Sequence, residues 1–169
     1  TNYSEIAAKI KEAIQKDLGL TVSVGLSLTK SLAKIASKQD KPNGFTVVKG
    51  YDLHRFLEKM PLERVCGFGP NTVALLQKNR VWTVLNYVNL PLAVATKLLG
   101  KIGNELWHEL RGEMVHSLQT AEKNDYASIS KTKTFTPPSS DPHFVRAQLL
   151  RNLESAFIKL RRHCLRAQR

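Results

Sequence analysis

Cysteine is scarce in this sequence: only Cys66 and Cys164 occur among 169 residues, and they stand far apart in the chain. Neither belongs to a spacing pattern of zinc ligands, and two cysteines cannot supply the disulfide framework of a small secreted domain. We therefore expect two free thiols, buried or half-buried, in a protein of a reducing compartment. This predicts a cytoplasmic location.

Long apolar runs are absent as well. No stretch approaches the roughly 20 residues that a membrane-spanning helix needs, and residues 1–4 do not start a signal peptide. Apolar residues make up 42% and charged residues 24% of the chain, proportions that are typical of a folded protein and exclude a disordered tail. We expect no membrane partner.

Acidic residues are few relative to basic ones. Fourteen Asp and Glu stand against 26 Lys and Arg, which gives a net charge of +12. The excess is concentrated in residues 131–169, which hold nine basic and two acidic residues. Such a balance is typical of a protein that binds a polyanion. An anionic membrane surface is less favoured, because no segment pairs a basic face with a face rich in Trp and Phe.

The first sixty residues predict alternating helices and strands. Apolar residues every four positions indicate a first helix that ends at Gly19, and Thr29 is a suitable N-cap for the second. The predicted helices cover residues 4–18, 29–38 and 53–60, and the predicted strands cover 21–27 and 45–48. Because two strands do not form a stable sheet alone, this piece belongs to a larger α/β domain.

The rest of the chain is mostly helical. Short helical patterns separated by glycines fill residues 61–112, polar residues 113–125 form a predicted linker, and residues 126–135 alternate like a strand. Asp141 and Pro142 then begin a long helix. The predicted fold class is α+β and mostly helical.

The clearest local motif is Val65-Cys66-Gly67-Phe68-Gly69-Pro70. Two glycines in a turn between helices, followed by proline at the first helical position, are typical of a helix–hairpin–helix. Its free N–H groups can hold a DNA phosphate without reading sequence. The alternative is an ordinary tight turn, although Lys78 in the following helix favours DNA. Residues 100–103 suggest a degenerate second hairpin.

A row of lysines at helical spacing is the second motif: Lys30, Lys34 and Lys38, followed by Lys41. It predicts either a solvated helix face or a cluster that meets a triphosphate or a nucleic-acid backbone. The composition leaves both open.

Together these segments resemble the Y-family DNA polymerases, the translesion enzymes of the DNA polymerase IV and V type. Residues 23–27 and 30–37 and the Lys41-Pro42-Asn43-Gly44 turn are similar to the late palm motif of that family. A hairpin-bearing thumb and a basic strand like the opening strand of the little-finger domain follow in order. The resemblance implies four parts: the C-terminal part of a palm (1–60), a thumb (61–112), a linker (113–125) and the start of a little finger (126–169).

The resemblance also implies residue roles. Lys41 would contact the triphosphate of the incoming dNTP, and Lys34 would support that site. The hairpin would hold the primer-side backbone and the basic strand would lie along the template. The implied DNA contacts are Gly67, Phe68, Gly69, Lys78, Ser128, Ser130, Lys131, Thr132 and Lys133. Thr29 departs from the asparagine of many members.

Clustered carboxylates for two metal ions, which such phosphoryl transfer requires, are missing. Glu105, Glu109 and Glu113 repeat every four residues and predict a solvated helix face, and the five histidines form no ligand set. We therefore expect no catalytic residue and no metal ligand in this chain.

The resulting hypothesis is a fragment of an error-prone translesion DNA polymerase, a nucleotidyltransferase. The whole enzyme would use Mg²⁺, dNTPs and primer–template DNA, with a sliding clamp as a further candidate partner, whereas the fragment would bind DNA and be inactive alone. The alternative is a complete, non-catalytic helix–hairpin–helix DNA-binding protein. A basic RNA-associated protein is a third reading.

Overall fold

The computed structural model describes residues 2–118 and 128–166. The later part of the predicted linker and the first two residues of the predicted strand at 126–135 lie outside these ranges. The chain divides into two compact units, Thr1–Leu118 and Gln119–Arg169.

The first unit begins with the predicted alternation of helix and strand. Helix α1 spans Tyr3–Leu18 and ends at Gly19, whose φ of 65° is the left-handed conformation expected after a helix. Strands β1 (Val24–Leu26) and β2 (Phe45–Val47) pair in parallel, with Val24 opposite Phe45. Both strands are shorter than the predicted ranges 21–27 and 45–48, because the ladder extends only where the two strands face each other.

Helix α2 (Lys30–Ala36) connects the two strands and lies directly on β1. The Thr29 hydroxyl accepts the Leu32 N–H, which confirms the predicted cap. A Cβ at Gly25 would lie 2.1 Å from the carbonyl oxygen of Ala33. The close contact between β1 and α2 therefore requires glycine at position 25.

Helices make up the remainder of the first unit, as predicted. They are α3 (Leu53–Glu58), α4 (Pro70–Lys78), α5 (Val84–Val88) and α6 (Leu92–Leu110), with 3₁₀ turns at Gly50–Asp52 and Leu62–Arg64. Gly100 interrupts α6 with a φ of 63°. One apolar core runs from Leu32 and Ile35 on α2 to Leu106 and Leu110 on α6. The core therefore crosses the predicted palm–thumb boundary without interruption.

The second unit contains helix α7 (Pro142–Arg162), whose first N–H groups are capped by the Asp141 carboxylate as predicted. The Phe135 ring meets the Phe144 ring edge to face at 5.3 Å. The predicted strand at 126–135 is wrong for its described part, since residues 128–135 form no strand. A strand exists only when a neighbour accepts its hydrogen bonds, and no described segment pairs with this one.

Two further expectations are tested by the fold. Both cysteines are free, as predicted, but both are exposed, so the predicted burial is wrong. Cys66 lies in a surface turn and Cys164 follows the end of α7. Within residues 2–118 and 128–166, no helix is both long and apolar enough to cross a bilayer.

Candidate nucleic-acid interface

Apolar side chains anchor the hairpin between the Leu62–Arg64 turn and α4 in the core. Val65 is buried, and its carbonyl accepts the Phe68 N–H at 3.2 Å. Gly67 has a φ of +106°, which side-chain-bearing residues rarely adopt. Gly69 is the N-cap of α4 and Pro70 its first residue, as the sequence predicts.

Phe68 is part of the core and not of the exposed surface. Its ring packs edge to face against the Tyr87 ring at 5.0 Å, and only 6% of the residue is exposed. The Tyr87 hydroxyl donates to the Gly103 carbonyl at 2.7 Å, and burial raises the pKa of Tyr87 to about 12. The predicted DNA contact by Phe68 is therefore corrected to a packing role, because an apolar side chain in a turn between helices is drawn into the core.

Gly69 has the opposite environment. Its φ of −78° is open to any residue, and no atom lies within 4 Å of the position that a Cβ would take. Neither backbone conformation nor packing in the described chain requires glycine here. No side chain caps α4, and the first N–H groups of a helix have no partner within it. The helix end can therefore receive an outside anion.

Lys78 lies at the other end of α4. It is exposed in the last turn, about 12 Å from Pro70 at 1.5 Å per residue. It therefore cannot contact the phosphate that the hairpin would hold. A longer stretch of backbone would have to extend along the helix to reach it.

The lysines of the predicted row fall into two groups, those that are hydrogen-bonded and those that are not. The Lys30 ammonium donates to the Ser117 carbonyl at 2.7 Å, and the Lys38 ammonium donates to the Arg64 carbonyl at 3.4 Å. Among the described residues, no hydrogen bond or ion pair joins the ammonium of Lys34 to another group, and the same holds for the exposed Lys41. The two lysines that the family resemblance singles out are thus available to a ligand.

The turn that carries Lys41 is fixed by its neighbours. The Asn43 carbonyl accepts the Lys11 ammonium at 2.8 Å, and the Gly44 N–H donates to the Ser23 hydroxyl at 3.2 Å. Asn43 has a φ of 65°. These bonds tie the turn to α1 and to the segment before β1, so that Lys41 projects from a defined position.

A surface cavity of about 260 Å³ is lined by residues of α2, the hairpin and α6. Its lining includes Lys30 and Lys34 from α2, Cys66 from the hairpin, and Ile102 and Glu105 from α6, together with His116. Lys41 does not line it. The structure therefore brings Lys34 next to the hairpin, which the spacing of residues along the sequence did not predict.

Glu109 is a residue whose position the sequence did not predict. It is fully buried, so the predicted solvated face is wrong at this position. Its carboxylate accepts N–H groups from Ser31 at 3.2 Å, Val115 at 3.0 Å and His116 at 3.1 Å, and its carbonyl accepts the Thr29 hydroxyl at 2.8 Å. The spacing of Glu105, Glu109 and Glu113 contains no signal for this, because the donors come from other elements.

The environment of Glu109 keeps it charged. Burial alone would raise the pKa of its carboxyl, but the backbone N–H groups of His116, Ser31 and Val115 together lower it below the ordinary value. A buried carboxylate thus joins the start of α2 and residues 113–116 to α6.

The basic segment of the second unit is open to solvent. Ser128, Ser130, Lys131, Thr132 and Lys133 are all exposed. Among the described residues, no neighbouring segment forms a ladder with this one.

The described residues do not suit a pair of metal ions. Across residues 2–118 and 128–166, no three His, Cys, Asp or Glu side chains come together in a way that could hold one. Two histidines approach single acids: His108 is hydrogen-bonded to Glu113, and His116 lies 3.8 Å from Glu105. Each of these contacts joins one acid to one histidine, so neither forms a set of three metal ligands.

Sequence comparison connects the chain to known polymerases. Residues 1–38 match the impB/mucB/samB family. DNA polymerase IV 2 of Methanosarcina mazei is 34% identical over 165 residues, which is 96% of this chain and 44% of that protein. The chain thus spans less than half of the length of this curated relative.

Structural comparison agrees. The insertion ternary complex of Dbh DNA polymerase matches 65% of this chain and 32% of its own, with a TM-score of 0.56 and 27% identity. A Y-family DNA polymerase chimera matches 94% of this chain and 45% of its own, with a TM-score of 0.70 and 24% identity. The second likeness concerns the fold alone.

Proposed function

We propose that this chain, which belongs to the Y-family of DNA polymerases, is the part of a translesion polymerase that holds primer–template DNA beside the incoming nucleotide. The observation that carries the proposal is the hairpin. Phe68 anchors its turn in the core, the space at the Cβ position of Gly69 is open, and no side chain caps the start of α4. That arrangement suits a phosphate of the DNA backbone and reads no bases.

The roles of the other residues follow the family resemblance. Lys41 binds the triphosphate of the dNTP, a role that its free ammonium and its fixed turn support. Residues 1–60 are the late palm, 61–112 the thumb, 113–125 the linker and 126–169 the start of the little finger. Ser128, Ser130, Lys131, Thr132 and Lys133 contact the template, and Lys78 contacts backbone farther along α4.

The chemistry of the whole enzyme requires groups that the described residues do not supply. Two Mg²⁺ ions would neutralise the triphosphate and activate the primer hydroxyl. Their ligands would be carboxylates outside this chain, and the chain alone would bind DNA without adding nucleotides. A sliding clamp is a further partner, and two free thiols suit a cytoplasmic location.

The direct test is DNA binding by the purified chain. We expect it to bind random duplexes of different sequence with similar affinity. Neutralising about three phosphates predicts a loss of affinity of about 40-fold between about 50 and about 200 mM salt, because counterions are released on binding. Fluorescence anisotropy measures both quantities. An affinity that does not change with salt, or that depends strongly on base sequence, would contradict the proposal.

The contribution of the hairpin can be isolated at Gly69. We expect Gly69→Val to reduce duplex affinity by about tenfold, since a branched side chain would occupy the space of the phosphate. The fold should survive, because the Cβ position is open and φ is −78°.

The matched control is Ala93→Val, which adds the same side chain at an exposed position of α6. Circular dichroism verifies folding of both variants, and anisotropy compares their affinities. Equal affinities in the two variants would remove the hairpin from the DNA site.

A further inference from the structure

The turn between α4 and α5 presents a tryptophan to solvent from a fixed backbone. Trp82 is 60% exposed, and it is the only exposed aromatic residue within residues 61–118. Its N–H donates to the side-chain oxygen of Asn86 at 3.3 Å, and Thr83 caps α5 through the same Asn86. The preceding Val81 is buried in the core. The indole group therefore leaves the surface at a defined position.

The exposed apolar surface at this end of α4 has no cover within the described chain. The Trp82 indole forms no hydrogen bond and no ring contact with residues 2–118 or 128–166. Leu75, which is 38% exposed, lies in the last turns of α4, and its carbonyl accepts the Asn79 N–H of the turn at 3.3 Å. Burying such surface against a partner is favourable, because apolar area leaves water.

Arg80 occupies the position in this turn that glycine usually takes. Helix α4 ends in a Schellman motif, in which the Arg80 N–H donates to the Gln77 carbonyl at 2.9 Å and the Val81 N–H donates to the Leu76 carbonyl at 3.0 Å. The φ of Arg80 is 62°, a left-handed conformation that is unfavourable for a residue with a Cβ. Gly19 has the corresponding position after α1. Backbone conformation alone would therefore favour glycine at position 80.

The side chain of Arg80 has no partner that would explain its presence. It is exposed, and among the described residues its guanidinium forms no hydrogen bond and no ion pair. No Asp or Glu occurs in the sequence between Glu63 and Glu105, whereas five Lys and Arg do. Glu63 lines a cavity together with Gln77 of α4, but it forms no ion pair with Arg80. The positive charge of this turn is thus left for an outside anion.

The surface formed by Leu75, Arg80 and Trp82, here called the Trp82 patch, suits a protein better than a nucleic acid. Tryptophan and arginine dominate the binding energy of many protein–protein interfaces. Proteins that bind single strands use a row of aromatic side chains on which successive bases stack, whereas this surface has one. The patch also lies at the end of α4 opposite the hairpin, about 12 Å away along the helix. Lys78, assigned above to DNA, borders the patch.

We propose that the Trp82 patch is a docking surface for an acidic peptide segment of a partner protein. Trp82 and Leu75 pack against an apolar side chain of that segment, and Arg80 pairs with one of its carboxylates. A guanidinium suits this role because it binds a carboxylate through two parallel hydrogen bonds. The inference goes beyond the proposed function and does not depend on it, since DNA is assigned to the other end of α4.

Arg80→Gly tests whether the arginine serves the fold or a ligand. Because glycine adopts a φ of 62° without strain, we expect the melting temperature to rise by about 3 °C. Arg80→Lys, which keeps both the charge and the Cβ, should leave it unchanged. Thermal unfolding followed by circular dichroism measures both variants. A fall in the melting temperature of Arg80→Gly would mean that Arg80 stabilises the fold, and the proposal would be wrong.

Partner chemistry is tested with a library of random short peptides displayed on phage. The library is first depleted on the folded Arg80→Gly, Trp82→Ala double variant, which removes peptides that bind elsewhere on this basic chain, and is then selected on the native chain. We expect the enriched peptides to carry more Asp and Glu than Lys and Arg, together with an apolar residue. Failure to enrich any peptide, or enrichment of peptides without an acidic excess, would refute the docking surface.

Synthetic copies of the enriched peptides then measure the contribution of each residue. Trp82→Ala should weaken their binding by about tenfold, Arg80→Gly by about fivefold and Arg80→Lys by about twofold, as measured by fluorescence anisotropy. Tyr51→Ala is the matched control, because it removes an exposed aromatic ring from the 3₁₀ turn Gly50–Asp52. Equal binding by Trp82→Ala and Tyr51→Ala would contradict the role of the patch.

DNA binding by the same variants distinguishes this proposal from a nucleic-acid site. Arg80→Gly and Trp82→Ala should change the affinity for duplex and single-stranded DNA less than about twofold, since the hairpin is intact in both. A loss of DNA affinity as large as the loss of peptide affinity would make the patch part of the DNA site and overturn the proposal. If the native chain selects acidic peptides but binds no DNA, the proposed function fails and the docking surface stands.

Discussion

Glu109→Ala is expected to lower the free energy of unfolding by about 3 kcal/mol, because three partly buried backbone N–H groups lose their shared acceptor. These donors belong to Ser31, Val115 and His116. For a unit of this size the melting temperature should fall by about 10 °C. Thermal unfolding followed by circular dichroism measures the change.

Glu105→Ala is the matched control, since Glu105 lies one turn earlier on α6 and its side chain is 26% exposed. Its ion pair with Lys101 is on the surface, so a loss below about 1 kcal/mol is expected. Similar melting temperatures for the two variants would contradict the role assigned to Glu109.

The effect of Glu109 should depend on pH. Because its folded-state pKa lies below the ordinary value of 4.5, the carboxylate adds stability above that pH, and this stability is lost as the pH falls through the folded-state pKa. The difference in stability between the native chain and Glu109→Gln should therefore be constant near neutral pH and decrease in acid. A difference that increases in acid would mean that the pKa of Glu109 is raised by folding.

Lys41→Ala is expected to reduce nucleotide use by about 100-fold in a polymerase that joins this chain to metal-binding carboxylates. A positioned cation at a transferring phosphoryl group stabilises the charge of the transition state, and its removal typically costs about 10²–10³ in rate. Lys41 cannot replace a metal ligand, because an ammonium has no lone pair. Primer extension gives kcat/KM for the dNTP.

Two further measurements make this result specific. Duplex affinity without nucleotide should change less than twofold, since Lys41 does not line the cavity beside the hairpin. Lys16→Ala, on α1, should leave primer extension unchanged. Loss of duplex affinity and nucleotide use in equal measure would show that Lys41 acts as part of the DNA site.

Local chemistry explains why much of the fold could be predicted. Gly19 ends α1, Thr29 caps α2, Asp141 caps α7, and Gly69 with Pro70 begins α4, all as the sequence indicates. Each of these signals acts within a few residues of the chain. The strand at 126–135 was predicted from alternation alone and is wrong in its described part, because a ladder depends on a partner that alternation does not reveal.

For the same reason, only part of the candidate site could be predicted from the sequence. The two hairpin glycines are visible in the sequence, and so is the basic excess that indicates a polyanion ligand. The burial of Phe68 was not visible, because it depends on Tyr87, nineteen positions later in the chain. Cys66 is exposed although cysteine is usually buried, since the turn directs it towards the cavity and not towards the core.

The sequence by itself determined the order of the elements, the hairpin and the resemblance to the polymerase family, since propensities, caps and motifs are properties of neighbouring residues. Only the tertiary structure decided which charged groups meet. It buried Glu109 among donors from α2 and from residues 113–116, and it placed Lys34 beside Cys66 while leaving Lys41 outside that cavity. The physical reason is that charge and hydrogen bonding act over a few ångströms in space, so residues far apart in sequence become partners only when the core brings their elements together.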